Sequence, residues 1–164
     1  MKLYDYPPAP NPRRVRIFLA EKGIEVPTEA VDLRQGAQLS EAFRRINPQC
    51  VVPYLVLDDG TGISESIAIC RYFEALQPDP PLCGKTPLEQ ALVEMWSRRA
   101  EFEGLLAVAD ALRNSAPAFK NRALPGADNF EQIPTLVERG QRRTKRFFDV
   151  LEERLAHSTF LAGD

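Results

Sequence analysis

One stretch limits the folds open to this chain more than any other: residues 50–66, CVVPYLVLDDGTGISES. Tyr54-Leu55-Val56-Leu57 is an apolar run of buried-strand length. Asp58-Asp59-Gly60 signals a hairpin, because Gly60 tolerates a positive φ. Gly62 and Ile63 form a brief returning strand, and Ser64 or Glu65 opens a helix over Ser66–Leu76 with apolar Ile67, Ile69, Cys70, Phe73 and Leu76. Pro53 has no amide hydrogen to give a ladder, so it belongs at a strand's first residue or edge.

Two features of this stretch suggest chemistry. If the Val52–Pro53 peptide bond is cis, the backbone of Val52 turns outward, free to pair with an extended ligand. Only about one X–Pro bond in twenty is cis, so local preference favours trans. The second feature is Glu65-Ser66 at a helix N-terminus, where free N–H groups and the positive dipole end favour a carboxylate. Ser66 adds a hydroxyl donor and Glu65 an anion for an ammonium, the pair of groups that recognises an amino-acid end. Taken alone, the pair is read first as a plain helix cap.

The rest of the chain supplies the context. Residues 1–6 (MKLYDY) are a short alternating strand, and Pro7-Pro8-Ala9-Pro10 is a stiff loop. Asn11-Pro12 reads as a helix start, Asn11 as N-cap and Pro12 as first residue. Val15, Phe18 and Leu19 make its buried stripe and Gly23 ends it. A second strand is expected over residues 25–32 and a loop over 34–39. Ser40 then caps a short helix with Phe43 and Ile46 inward, stopping at Asn47-Pro48. The order β-α-β then β-β-α is the thioredoxin-like arrangement, over residues 1–77. Pro-rich 78–87 is a linker. Beyond it the period is 3.6: one long helix lined by Leu88, Leu92, Met95, Trp96, Arg99, Phe102, Leu106, Ala109 and Leu112, a loop over 115–134, and a second long helix over 135–157. Gly140 sits inside that helix at a cost of about 1 kcal/mol against Ala, unless a neighbouring helix crosses closely there.

Val52-Pro53, a hairpin, then Glu65-Ser66 ahead of Ile-Ala-Ile-Cys-Arg-Tyr-Phe resembles the glutathione-binding half of the glutathione transferases. The resemblance implies an α/β thioredoxin-like domain (1–77) followed by an all-α domain (88–164), the latter expected to be incomplete because family members carry further helices after a Phe-Leu-x-Gly-Asp segment like that at residues 160–164. It implies glutathione as co-substrate, no metal, and a small hydrophobic electrophile as acceptor. Val52 and Pro53 would present backbone to the cysteinyl unit, Glu65 and Ser66 would hold the γ-glutamyl end, and Gln38 would reach the glycyl end.

The family places a Tyr, Ser or Cys in the loop before the first helix, and here Ala9 and Pro10 fall on the Ser and Cys positions. The local Ala9-Pro10-Asn11 is similar to nu-class bacterial members. The thiolate-stabilising role therefore passes to Asn11, with Tyr6 as the fallback donor. The task is modest: lowering a thiol pKa from about 8.5 by two units needs roughly 2.7 kcal/mol. The missing Tyr, Ser or Cys also leaves open a non-catalytic glutathione- or protein-binding module of the same fold. Family members pair, so a homodimer is implied.

Composition narrows the classes. With 21 Lys+Arg against 23 Asp+Glu, near-balanced charge argues against nucleic acid as partner. The basic run 142–146 reads as a solvated face. No apolar run approaches the roughly 20 residues of a membrane span, and the first residues lack an apolar signal core, so the cytoplasm is expected. Three cysteines without CxxC spacing fit a reducing compartment. His157, the sole histidine, argues against a His-based metal site or triad.

Overall fold

A computed structural model describes residues 1–163. The chain divides into two compact units: Met1–Leu82 with Pro125–Ala127, and Cys83–Leu124 with the residues from Asp128 onward.

The first unit holds β1 (Lys2–Asp5), α1 (Pro10–Lys22), β2 (Thr28–Ala30), α2 (Glu41–Ile46), β3 (Tyr54–Val56), β4 (Gly62–Ser64) and α3 (Ser66–Leu76). The sheet order is β2-β1-β3-β4, with β1 and β2 parallel and the other pairs antiparallel. This is the thioredoxin-like arrangement. Alternation along β1 serves both faces of the sheet. Leu3 joins Val15, Leu19, Leu55, Ile69 and Phe73 in a core shared with α1 and α3. Tyr4 joins Val31 and Phe43 on the opposite face, its ring edge-on to Phe43 at 5.7 Å. Ser40 caps α2 by accepting from the Phe43 amide, and Gly23 ends α1 at φ 64°.

Two local expectations change. Asn11 is not the N-cap of α1: the helix starts at Pro10 with Ala9 as N-cap, leaving Asn11 exposed within the first turn. Prolines 10 and 12 both fit there because first-turn amides have no helical partner to lose. The second strand shrinks to three residues. Asp32 then turns the chain by accepting from the Arg34 amide, and two 3₁₀ turns, Leu33–Gln35 and Ala37–Leu39, occupy the expected loop.

The second unit is a helical hairpin: α4 (Pro87–Arg99), a π-helical segment (Ala100–Leu105), α5 (Leu106–Arg113) and α6 (Thr135–Leu155). Thr86 and Glu89 form a capping box at the start of α4. The single long helix expected over residues 88–112 is thus interrupted. Gly104 lies against Phe147, where an added Cβ would come within 2.7 Å of the ring, and Arg143 of α6 donates to the Phe102 carbonyl at 2.5 Å, inside the widened turn. The predicted stripe is also not the face α6 covers. Of the stripe, Trp96 is buried as expected, but Leu88, Phe102, Leu106 and Leu112 are 45–69% exposed, while Gly104 and Ala107, outside it, are buried. Gly104 and Ala107 let the two helices approach, and Phe102, Leu106 and Leu112 point elsewhere. No helix among the described residues is long and apolar enough to cross a membrane.

Candidate functional site

Strand register gathers most of the singled-out residues at one end of the first unit. The β1–β3 ladder closes at Tyr4 opposite Tyr54, so Tyr6 and Val52 lie just past its end. The β3–β4 ladder closes at Tyr54 opposite Ser64, which leaves Pro53 and Glu65 just beyond the same edge. The helices α1 and α3 both begin at this end, since each follows directly from a strand exit.

The Val52–Pro53 peptide bond is cis, Pro53 is buried and Val52 is half-buried against the Tyr4–Phe43 cluster. Val52's main chain lies outside both ladders. Glu65 occupies the N-cap position of α3 at φ 66° and ψ 119°, makes no side-chain cap and is exposed. A positive φ is unusual for a residue with a side chain, and here it goes with a carboxylate that makes no cap bond to the helix start. The capping alternative for Glu65 is therefore not what the backbone adopts.

Ser66 is 5% exposed, and its hydroxyl accepts a 2.9 Å hydrogen bond from Arg14 Nη1 of α1. Arg14 is the polar partner that sequence reasoning did not single out. Its signal in the sequence was only a helical position one turn in from the loop. An arginine fork, a hydroxyl whose proton remains free to donate, and the N–H groups opening α3 together form a cradle for a carboxylate. Glu65 beside it offers the complementary anion.

Tyr6 is half-buried at the strand exit, where its carbonyl accepts from the Ala9 amide at 3.0 Å and tightens the proline loop. Asn11 is exposed, with its amide uncommitted to the helix cap. Gln38 lies in the second 3₁₀ turn, half-buried, and its Oε1 is buried without a hydrogen-bond partner among the described residues. The Ala37 beside it packs on the cluster that also carries Val52. No recorded hydrogen bond joins Gln38 or Asn11 to Glu65 or Ser66. Cys50 and Cys70 are both buried.

Residues 9–76 match the family model described as glutathione S-transferase, N-terminal domain. The yeast Saccharomyces cerevisiae protein named glutathione S-transferase 2 is 36% identical over 173 residues, covering 100% of this chain and 69% of its own length. A maleylacetoacetate isomerase of Rattus norvegicus is 40% identical over 97 residues, covering 58% of this chain and 44% of its own. Among solved structures, a glutathione S-transferase domain-containing protein of Marinobacter aquaeolei superposes with a TM-score of 0.88 at 35% identity, covering 100% of this chain and 78% of that one.

Proposed function

Because the chain belongs to the glutathione S-transferase family, we propose that it binds glutathione at the shared end of β1, β3, α1 and α3 and uses the sulfur as a nucleophile. The observation that carries this reading is the Arg14–Ser66 hydrogen bond at the opening of α3, with Glu65 exposed beside it. In this reading the γ-glutamyl carboxylate takes the Ser66 hydroxyl, the Arg14 guanidinium and the first amides of α3. The ammonium takes Glu65. Val52 presents its main chain to the cysteinyl unit, with Pro53 setting the turn, and Gln38 serves the glycyl end.

The sulfur then lies at the opening of α1. Helix-terminal amides and the side-chain amide of Asn11 favour the thiolate over the thiol, with Tyr6 as a second donor. The thiol proton leaves to solvent. The thiolate forms a bond to an electrophilic carbon of a small hydrophobic acceptor, and the leaving group departs with its electron pair. In disulfide reduction the same thiolate attacks a sulfur, a second glutathione releases the mixed disulfide, and two glutathiones are oxidised as the acceptor is reduced by two electrons. The family relationship supports catalysis, a homodimer and a cytoplasmic setting. Ala9 at the position of the family's usual donor favours a second reading, a glutathione-binding module without turnover.

Calorimetric titration with glutathione tests the site. Replacing Glu65 with Ala removes a charge-assisted contact, so affinity should fall about 10- to 100-fold. Unchanged affinity would refute the assignment. Turnover with a chloronitrobenzene acceptor, measured beside binding, separates the two readings.

A further inference from the structure

A buried carboxylate that the proposed chemistry does not use lies beneath the same loop. Asp5 ends β1 and is 2% exposed, and its Oδ1 has no hydrogen-bond partner among the described residues. Its main-chain carbonyl accepts from the Val31 amide at 2.8 Å, which fixes the backbone at the end of β1. The cation facing it is Arg16, from the second turn of α1, with Nη1 3.8 Å from Oδ2. The same guanidinium donates from Nη2 to the carbonyl of Pro7 at 2.8 Å. Arg16 Nε is buried and unpartnered. One arginine thus bridges a buried anion and the middle of the loop that separates β1 from α1.

We infer that Asp5 and Arg16 are positioning residues that set the ionisation of a thiol held at the opening of α1. The inference rests on the glutathione reading above, and it assigns to this chain a charge pair that takes over part of the work left by Ala9. Arg16 fixes the loop through Pro7 and brings a positive charge under it. Asp5 holds Arg16 in place and offsets that charge. The 3.8 Å separation makes the offset electrostatic rather than a direct hydrogen bond, so each charge acts on the loop through the partly buried interior, where screening is weak. The other charged groups at this end are Arg13 and Arg14 of α1, Glu65 at the start of α3 and Asp32 after β2. Arg14 donates to Ser66, Asp32 accepts from the main-chain amide of Arg34 and the side-chain amide of Gln35, and Arg16 is the one cation within 4 Å of the Asp5 carboxylate among the described residues.

The test is the titration midpoint of enzyme-bound glutathione, read from thiolate absorbance against pH, in wild type, Asp5→Asn, Arg16→Gln and the double variant. Circular dichroism checks the fold of each protein. Removing the anion should lower the midpoint and removing the cation should raise it, each by about one pH unit, and the double variant should return toward wild type. Arg16→Lys keeps the charge without the fork and should stay closer to wild type than Arg16→Gln, a comparison that stands if the Asp5 variant fails to fold. Midpoints that move in the same direction in both single variants, with glutathione still bound, would overturn the charge-pair inference and leave a purely structural brace. Absence of glutathione binding by wild type would instead overturn the functional reading itself.

Discussion

The crossing of α5 and α6 offers a sharp test of how this chain is packed. A Cβ added at Gly140 would lie 2.7 Å from the Ala107 carbonyl oxygen, 2.7 Å from the Ala111 amide nitrogen and 3.1 Å from the Ala111 Cβ. Ordinary contact begins at 3.4 Å, so the backbones must part by 3.4 − 2.7, or about 0.7 Å. Two of the three atoms are main chain and cannot rotate away. A gap of that size forfeits a quarter to a half of each dispersion contact along the crossing, and overpacking of this kind costs about 1–3 kcal/mol. Against it stands a gain of about 1 kcal/mol from replacing a helical Gly by Ala. Gly140→Ala should therefore leave the second unit destabilised by up to about 2 kcal/mol once that gain is subtracted. Urea unfolding followed through Trp96, the sole tryptophan and a buried residue of α4, reads that unit directly. A midpoint above wild type, the full propensity gain with no packing cost, would refute the claim that the helices meet backbone to backbone at Gly140.

Other outcomes are equally specific. Asn11→Ala should reduce the thiolate absorbance of bound glutathione at neutral pH while leaving the helix intact, since Asn11 does not cap α1; an unchanged titration would pass the role to Tyr6. Lys22 is wholly buried, pairs with Glu74 at 2.6 Å and donates to the carbonyls of Gln77 and Pro80 at 2.6 Å each. Lys22→Met should cost about 3 kcal/mol, as removal of one partner from a buried charge network does, and should speed proteolysis near residues 77–80; a loss under 1 kcal/mol would refute the estimate. The backbone amides of Lys85 and Thr86 hold the Glu89 carboxyl below its ordinary 4.5. A depressed folded value means that its stabilisation of α4 is complete above the unfolded value and fades as pH falls through the folded one. Hydrogen exchange at the first turn of α4 should quicken along that acid limb, and Glu89→Gln should abolish the pH dependence.

Much of the first unit was legible because its signals are local. Ser40 caps within three residues, Gly23 needs only its own freedom at positive φ, and the Asp-Asp-Gly turn sets the hairpin. Asn11 misled because an Asn-Pro pair is a fair helix start, yet Pro10 can also occupy the first turn and the helix took the earlier opening. The stripe from Leu88 to Leu112 misled for a different reason. Periodicity finds the most apolar face, whereas α6 needed the face with the least bulk, at Gly104 and Ala107, to approach closely.

By itself, then, the order of residues determined most of the elements, their sequence and the presence of an acidic-hydroxyl pair at the opening of α3, since each depends on neighbours a few positions apart. Only the folded chain decided that Arg14 would reach Ser66 across 52 residues of sequence, that Glu65 would sit exposed at a positive φ without capping its helix, and that Asp5 would be buried at the end of β1 with Arg16 as its counter-charge. Those pairings arise from which strand lies beside which and how far each helix begins from its exit, distances that no spacing along the chain records.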